Sequence, residues 1–521
     1  MVDGTEELPP GWAWARLGEL GAVTGGLTKN PDRSKWPERA PFLRVANVQK
    51  GRLDLADVAN IGVRPEELPR VLLKSGDLLV VEGNGSLDQI GRCAVWTGDI
   101  EGCVHQNHII KVRFGQNDLS RWVLHWLTSG GGRAAIERVA SSTAGLHTLS
   151  ISKVEQLPVP VAPTAERTRI MSEIEASSAE MDEAEAALKR ARVALVDYRA
   201  SLLHAACTGD FTAAWRADNP RPVEDGPALL RRILAERRAA WECTEISRQT
   251  ANGKAPLKGN TWKARYVEPC APDTAGLSGL PAGWVWASVQ QVGQIKLGRQ
   301  RAPKYHSGSN MRRYLRVANV FENRIDTTNV MQMEFDEIDF ENYKLSYGDI
   351  LLNEGQSAEL VGRPAMFRDE IEGCCFTNTL IRYRVAPGVL PAFALLVFRH
   401  WMRNRTFQRI SKITTNIAHL GAGRFAELPF PLPPTAEQVC IVEQASDLLA
   451  DCDTAEATFE TAKSEAATLR RFILHTAFIG RLVPQASADE PAATLLAGLR
   501  AAPAVPGRTP RRARPVQDAL L

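Results

Sequence analysis

The sequence predicts an α+β protein. Two tandem homologous domains, β-rich with some helices, are separated by two long antiparallel coiled-coil helices, with pseudo-two-fold symmetry. Three observations predict this class: a long-period internal repeat, short strand-like runs punctuated by turns in each copy, and a heptad seam at the end of each copy. Hydrophobic residues make up 44% and charged residues 24% of the 521-residue chain, as in globular proteins with real cores.

The internal repeat keeps an almost constant register. Residues 8–15 (LPPGWAWA) recur at 280–287 (LPAGWVWA), a shift of 280 − 8 = 272. The run FLRVANV at 42–48 recurs as YLRVANV at 314–320 with the same shift, and LPVP at 157 recurs as LPFP at 428, a shift of 428 − 157 = 271. A register this constant over about 200 residues indicates tandem domains, because solenoid repeats have periods of about 20–50 residues.

This pattern predicts the division of the chain. The expected parts are a first domain over 1–163, a long helix over 164–209, a central connecting region over 210–279, a second domain over 280–434, a second long helix over 435–480, and a partly disordered C-terminal tail over 481–521. Shorter elements follow from local composition. We expect strands at 43–48 and 78–81, helices at 118–139, 391–409 and 227–240, and a polar loop at 247–261.

Each long helix carries apolar residues at alternating steps of three and four, the pattern of a coiled coil. A dimerisation stalk is the alternative, but two matching seams in one chain favour packing against each other. Thr435 with Gln438 predicts a capping box, and Gly209 and Gly480 predict glycine C-caps. The residues expected to pack between helices or against a partner are Ile174, Met181, Leu188, Leu195, Leu202, Ile441, Leu448, Phe459, Leu469 and Ile473.

Signatures of catalysis are missing from the sequence. It contains no GxxxxGK[ST], GxGxxG, GxSxG or HExxH motif, and NPRP at 219–222 departs from the Asn-Pro-Pro-aromatic motif of adenine methyltransferases. Glu82 and Glu354 follow strands in both copies and are interpreted as folding features. We therefore expect no catalytic residue and no metal ligand. Nine cysteines without a CxxC pair, and no apolar run of membrane-spanning length, predict reduced thiols in a cytoplasmic protein.

Several motifs occur twice and in the same order. They are LPxGW, LRVANV, GD(L/I)L followed by EG, and LP(V/F)P leading into PTAE, with LLHAACTGDFT at 202–212 ending the first long helix. Together they resemble the specificity (S) subunits of Type I restriction–modification systems over nearly the whole chain. The resemblance implies two target recognition domains, a helical spacer, and a non-catalytic DNA-binding subunit active in DNA methylation and phage defence.

The resemblance also implies the partners. These are double-stranded DNA carrying a bipartite, gapped target, two methyltransferase (modification) subunits, and, as optional additions, restriction/translocase subunits. No cofactor is expected in this chain. S-adenosylmethionine and ATP with Mg are expected in the partner subunits.

The residues that would read DNA are expected where the copies diverge. The loops at 28–35 and 299–305 are basic and punctuated by proline. Arg can pair with guanine, Lys or Arg can bind phosphate, and Asn or Gln can pair with adenine; a solvated loop charge is the alternative for each. The candidates are Lys29, Asn30, Arg33, Lys35, Asn84, Arg92, Arg299, Arg301, Lys304, Arg312, Arg313, Gln356 and Arg363.

Residues that recur in both copies are expected to serve folding or phosphate positioning rather than base choice. Arg44 with Arg316 and Asn47 with Asn319 are such pairs. Two other functions remain open at this point. The chain could be a degenerate duplicated scaffold without sequence-specific DNA reading, or a stand-alone enzyme with a site in a cleft, although no catalytic motif supports the latter.

Overall fold

The structure, a computed structural model, describes residues 7–84, 86–143, 146–220, 222–251, 259–414 and 416–501. The chain divides into two compact units: unit 1 is Met1–Leu188 with Glu460–Leu521, and unit 2 is Lys189–Phe459. Within the described ranges, no helix is both long and apolar enough to cross a membrane. The C-terminal tail at 481–521 is expected to be partly disordered, and its residues 502–521 lie outside the described residues.

Unit 1 is built mainly from short strands. Its strands are β1 (Ala13–Arg16), β2 (Gly21–Gly25), β3 (Arg39–Leu43), β4 (Ala59–Gly62), β5 (Leu78–Val81), β6 (Gly83–Asn84), β7 (Cys93–Val95), β8 (Val104–His105), β9 (Ile109–Phe114), β10 (Ser141–Thr143), β11 (Leu146–Thr148) and β12 (Pro158–Val161). Its helices are α1 (Leu17–Leu20), α2 (Leu68–Val71), α3 (Asn117–Thr128), α4 (Gly130–Val139), α5 (Ile151–Glu155) and the first part of α6 (Thr164–Thr208).

The strands of unit 1 form several small sheets. One is antiparallel with the order β2-β9-β5-β7, one has the order β4-β3-β8 with β3 and β8 parallel, one has the order β10-β11-β6, and β1 pairs with β12. The strand expected at 78–81 is confirmed as β5 and is buried on both faces. Side chains alternate along a strand, so Leu78 joins the core around Trp122 while Leu79 joins the core around Trp96.

Unit 2 repeats this topology. Its strands are β13 (Val285–Ser288), β14 (Gly293–Leu297), β15 (Met311–Leu315), β16 (Val320–Phe321), β17 (Arg324–Ile325), β18 (Met331–Glu334), β19 (Ile350–Asn353), β20 (Gly355–Gln356), β21 (Pro364–Met366), β22 (Cys375–Phe376), β23 (Leu380–Val385), β24 (Lys412–Thr414), β25 (Ile417–His419) and β26 (Pro429–Leu432). The sheet orders β14-β23-β19-β21, β18-β15-β22 and β20-β25-β24 match those of unit 1 strand for strand, and β13 pairs with β26 as β1 pairs with β12.

Besides the last part of α6, unit 2 contains helices before, between and after its strands. They are α7 (Ala213–Asp218), α8 (Gly226–Ala251), α9 (Glu337–Tyr343), α10 (Pro391–Arg403), α11 (Thr406–Ile410), α12 (Ala422–Ala426) and the first part of α13 (Thr435–Phe478). The helix expected at 227–240 is therefore wrong in length, because α8 continues through 247–251, where a loop was expected. Residues 252–258 of that expected loop lie outside the described residues.

Two expected helices are interrupted, and one expected strand lies earlier in the chain than expected. The helix expected at 118–139 breaks at Ser129, whose hydroxyl accepts a hydrogen bond from the Gly132 amide and caps α4. The helix expected at 391–409 breaks near Arg405, which has a φ of 65°. The strand expected at 43–48 is wrong: the strand is β3, which ends at Leu43, because Asn47 closes a 3-10 turn directly after it.

The long helices α6 and α13 begin at the expected residues and end one and two residues before the expected ends, and both units contain parts of both. In unit 1, Arg470 of α13 bonds Asp182 of α6 at 2.7 Å. In unit 2, Arg199 of α6 bonds Asp453 of α13 at 2.7 Å, and Arg192 lies 3.4 Å from Glu456. In unit 2, residue numbers rise along α6 as they fall along α13, so the two helices run antiparallel there.

Most of the expected seam positions are shielded. Ile174, Met181, Leu202 and Ile441 are buried; Leu188, Leu195, Leu448, Phe459 and Ile473 are half-buried. Leu469 is 50% exposed, so the structure places it outside the seam. It lies one helical turn from Phe472, which is 62% exposed.

The expected helix caps are partly corrected. Gly209 and Gly480 have the left-handed backbone that a glycine C-cap requires, with φ of 81° and 69°. The capping box at Thr435 is wrong. The Thr435 hydroxyl instead donates to the Gly388 carbonyl at 2.7 Å, and the Gln438 side chain accepts from the Leu390 amide at 2.8 Å. Both side chains therefore fasten the loop before α10.

The chain that follows each long helix completes a unit. In unit 2, the Gly226 amide at the start of α8 donates to the Gly283 carbonyl at 2.7 Å. In unit 1, the first amide of α14 (Ala492–Ala501) donates from Ala492 to the Gly11 carbonyl at 2.8 Å. Gly11 and Gly283 are repeat equivalents, since 283 − 11 = 272. The two connections therefore do the same structural task in the two units.

Candidate nucleic-acid interface

The variable loop of unit 1 is fixed by a buried arginine. Arg33 is 6% exposed; its guanidinium donates to the Thr28 and Gly62 carbonyls and pairs with Glu67 at 2.8 Å. The Arg33 side-chain bond holds the pKa of Glu67 below its usual range. Arg33 is a predicted DNA-binding residue, but its guanidinium is buried and bonded within and beside the loop.

Other candidates in this loop are on the surface. Lys29 is exposed; Asn30 is exposed and its side chain accepts from the Arg33 amide at 3.1 Å; Lys35 is exposed and pairs with Asp32 at 2.8 Å. Trp36 ends the loop, and the Arg33 guanidinium lies 4.7 Å from its ring centroid. The side chain of Asn84 lies outside the described residues.

Unit 2 anchors its variable loop with a different arginine. Arg299 is 7% exposed and pairs with Asp339 at 2.6 Å, while its guanidinium also donates to the Glu334 carbonyl. The ring of Tyr305 lies 3.9 Å from this guanidinium. Arg299 is also a predicted DNA-binding residue, but its guanidinium is buried and stabilises the loop.

Three other basic candidates of unit 2 are exposed and lie over aromatic rings. Arg301 is 5.8 Å from the Tyr314 ring, Lys304 is 4.9 Å from the Tyr305 ring, and Arg312 is 4.5 Å from the Phe340 ring. The neighbouring lysine, Lys304, lowers the pKa of Tyr305. Such stacking holds a cation while its outer face stays in solvent.

Two other candidates of unit 2 lie on strands. Arg313 is exposed on β15. Gln356 is half-buried on β20, where its side-chain oxygen accepts from the Ser357 amide at 3.2 Å. Among the candidates, unit 2 thus offers exposed cations on the loop and on β15, whereas unit 1 offers Lys29 and Lys35 on its loop.

The RVAN motif is a turn built by its asparagine. The Asn47 side-chain oxygen accepts from the Arg44 amide, and its nitrogen donates to the Asp54 and Asp57 carbonyls at 2.8 and 2.9 Å. Asn319 makes the same three kinds of bond in unit 2. The asparagine is therefore a folding residue. The arginine side chain of the turn is half-buried in both units, and in unit 1 the Arg44 guanidinium pairs with Asp57 at 2.7 Å.

The turn adjoins the base of the variable loop in both units. In unit 1, the Gln106 amide donates to the Leu43 carbonyl, and the Asn107 amide donates to the Leu27 carbonyl, each at 2.9 Å. In unit 2, the Thr377 amide donates to the Leu315 carbonyl and the Asn378 amide to the Arg299 carbonyl. One backbone segment thus joins a divergent loop to a recurring arginine at one edge of each domain.

A second recurring arginine lies beside the turn. Arg92 donates to the Val45 carbonyl at 3.1 Å and to Gln89 at 3.3 Å. Its equivalent Arg363 lies 4.7 Å from the Phe321 ring centroid, and burial lowers the pKa of its guanidinium. Both residues are among the candidates predicted from the sequence. Arg52 and Arg324, which are exposed on the next hairpin, are not, although they are repeat equivalents (324 − 52 = 272) and their recurrence could have identified them.

Glu82 and Glu354, interpreted as folding features, each pair with a histidine. Glu82 lies 3.0 Å from His108, and Glu354 lies 3.0 Å from His419. Their backbones also bond the segment before α5 and before α12, through the Leu149 and Leu420 amides. Among the described residues, no group of three or more His, Cys, Asp or Glu is arranged to hold a metal ion.

Comparison with known proteins gives consistent results. No protein-family model matches the chain. It is 29% identical over 229 residues to the Type I restriction enzyme EcoKI specificity subunit of Escherichia coli K12, covering 42% of this chain and 48% of that protein. It is 29% identical to the StySPI specificity subunit of Salmonella potsdam, covering 44% and 50%.

This chain resembles Type I restriction specificity subunits. The resemblance inferred from the motifs is thereby confirmed, although the matched region spans about half the length of these curated relatives. A solved structure described as "Structural basis underlying complex assembly and conformational transition of the type I R-M system" has a TM-score of 0.56, at 16% identity over 92% of this chain and 100% of that chain. That likeness supports the fold: two homologous domains with two long helices.

Proposed function

We propose that this chain is a sequence-specific DNA-binding subunit that recognises a bipartite, gapped target. It directs partner methyltransferase subunits, and restriction subunits where present, to that target. One observation carries the proposal. Each unit places a different set of exposed cations on the same framework, beside the same recurring arginine turn. Two frameworks with two different loops suit two different half-sites.

The physical advantage of two half-sites is selectivity. Each mismatched base pair costs about 1–3 kcal/mol, roughly additively for separated positions. Two loops that each read a few base pairs therefore multiply their discrimination. A loop fixed by a buried ion pair, as with Arg33 and Glu67, also loses little conformational freedom on binding.

We propose that the chain itself is non-catalytic. The relatives with which it shares sequence are named specificity subunits of restriction enzymes. S-adenosylmethionine and ATP with Mg would be bound by the partner subunits, and this chain would contribute DNA recognition. The expected location of such a complex is the cytoplasm.

The test is a methylation map. The chain is co-expressed with its neighbouring methyltransferase in a host without adenine methylation, and modified adenines are located genome-wide. We expect a gapped motif that disappears when the chain is omitted. In a second strain, the exposed residues of the 28–35 loop are exchanged while Arg33 is kept, because Arg33 holds the loop in place.

The exchange should alter one half of the motif and leave the other unchanged. A matched exchange at 300–304, which keeps Arg299, should alter the opposite half. The scaffold function is the second candidate, although the divergent cations do not favour it. A stable complex with the methyltransferase but without any chain-dependent motif would reject DNA recognition and leave the scaffold.

A further inference from the structure

The arginines that recur in both units form a group distinct from the divergent loops. Each unit has one on the RVAN turn, one on the following hairpin, and one just before the next strand of the antiparallel sheet. These recurring arginines are Arg44, Arg52 and Arg92 in unit 1, and Arg316, Arg324 and Arg363 in unit 2. We propose that they bind DNA phosphates in the same way at both half-sites and fix the register of the neighbouring loop; this rests on the proposed function.

The position of these arginines supports the proposal. In unit 1, the Arg92 guanidinium reaches the carbonyl of Val45, the residue after Arg44. In unit 2, Arg363 and Arg324 lie on the Phe321 ring, at 4.7 and 4.6 Å from its centroid. Phe321 follows the RVAN turn by two residues. The arginines of each unit therefore gather around one hairpin, next to the base of the variable loop.

The charge of the group is poorly compensated in unit 2, whereas in unit 1 Arg44 pairs with Asp57, an exposed carboxylate, at 2.7 Å. Glu322 lies on the same hairpin, but it is bonded by Arg399 at 3.1 Å and by Arg403 at 2.7 Å. Within the described residues, the Nε atoms of Arg316 and Arg363 are buried and have no hydrogen-bond partner, and the same is true of their equivalents Arg44 and Arg92.

A buried guanidinium nitrogen without a partner is unfavourable, because the group has lost its hydration without gaining a hydrogen bond. Both units carry this cost at the same two positions, although their loops have diverged. The shielded Nε atoms also leave these side chains with restricted orientations. A phosphate fits such a group because it accepts bidentate hydrogen bonds from arginine and supplies the missing negative charge.

The recurrence of these arginines in both units favours contact with phosphates over contact with bases. Two domains that read different sequences need the same backbone contacts but different base contacts. The divergent cations, such as Lys29 in unit 1 and Arg301 in unit 2, occupy the positions where base choice can differ. The recurring arginines occupy positions where the residue is the same in both units.

The experiment uses the full chain in complex with its methyltransferase. Binding is measured by fluorescence anisotropy on two duplexes of equal length, one with the mapped motif and one without it, between 50 and 300 mM salt, a range chosen because phosphate contacts are salt-dependent. The variants are Arg316→Gln, Arg363→Gln and the unit 1 equivalent Arg44→Gln. The matched control is Arg248→Gln, which removes an exposed arginine of α8.

We expect each variant to weaken binding to both duplexes by the same factor, about tenfold. Each should also reduce the slope of log K against log salt by about 0.9, the value for one lost phosphate contact. The methylation motif should stay unchanged, and Arg316→Lys should recover most of the slope, which a purely structural role for the guanidinium would not allow. The control should match the unmodified chain.

Three results would overturn the inference. One is an altered motif or a loss confined to the cognate duplex, since that marks base reading. Another is loss of the methyltransferase from the complex, since that makes the surface a protein interface. The third is binding equal to that of the control. If the unmodified complex has no motif, the proposed function fails, but the salt slope on the second duplex still tests the phosphate contacts.

Discussion

Phe478 near the end of α13 should be one of the most important packing residues of unit 1. Its side chain is 7% exposed, and its ring centroid lies 4.8 Å from Trp122 and 5.2 Å from Trp126, both in edge-to-face geometry. Replacing a buried phenylalanine by alanine costs about 3–5 kcal/mol, and lost edge-to-face contacts contribute to this cost. We expect Phe478→Ala to destabilise unit 1 by this amount.

Hydrogen exchange followed by mass spectrometry can localise the effect. Peptides from α3, which carries both tryptophans, should exchange about 10²- to 10⁴-fold faster in the variant, because each 1.4 kcal/mol is a factor of ten. Peptides from unit 2, for example those covering β19, should be unaffected, since Phe478 belongs to unit 1.

The matched control is Phe472→Ala in the same helix. Phe472 is 62% exposed, so its removal should change exchange in α3 by less than threefold, in line with the small effects of surface substitutions of about 0.5 kcal/mol. The reasoning is refuted if both variants behave alike, or if Phe478→Ala leaves α3 as protected as before.

Three further predictions concern single sites. Asp77→Asn, which leaves Arg113 without its 2.6 Å partner, should destabilise unit 1 by about 3–5 kcal/mol in urea unfolding, and a change below about 1 kcal/mol would contradict a buried ion pair. Burial lowers the pKa of His105 to about 3, so the unfolded chain binds one more proton than the folded chain between pH 6.5 and 3. The free energy of unfolding should therefore decrease as the pH is lowered through this range, by up to about 1.4 kcal/mol per pH unit, and His105→Asn should flatten that slope. Cys243 and Cys270 are exposed and should react with a thiol reagent under native conditions, whereas labelling of the buried thiols before unfolding would show that the cores open.

Periodicity and repetition predicted the larger features of the fold. The bounds of α6 and α13, the strand at β5 and the glycine caps at Gly209 and Gly480 all follow from local patterns. These features depend on neighbours in sequence, or on a seam that repeats many times. The duplication made the inference firmer, because each element could be checked against its second copy.

The details that failed depend on distant partners. Thr435 and Gln438 have the spacing of a capping box, but the loop before α10 takes both side chains. Arg33 looks like any loop arginine until Glu67 is folded against it, 34 residues further along the chain. No local pattern shows such a partner, so candidate base-reading residues chosen by type and loop position included two arginines that are buried.

These two arginines show how the copies keep one framework while their loops diverge. The framework pairs recur: Trp12 with Glu166 at 3.1 Å matches Trp284 with Glu437 at 2.8 Å, residue for residue. The loop anchors do not recur in this way.

Arg33 is aligned with Tyr305, since 305 − 33 = 272, whereas the anchor of the second loop is Arg299. Each anchor forms an ion pair with a different carboxylate: Arg33 pairs with Glu67, and Arg299 pairs with Asp339. A fixed loop base is thus preserved by different residues. A domain of this kind can change its loop and still present it at the same edge, beside the same arginine turn. Under the proposed function, a change of sequence specificity therefore requires new anchors as well as new reading residues.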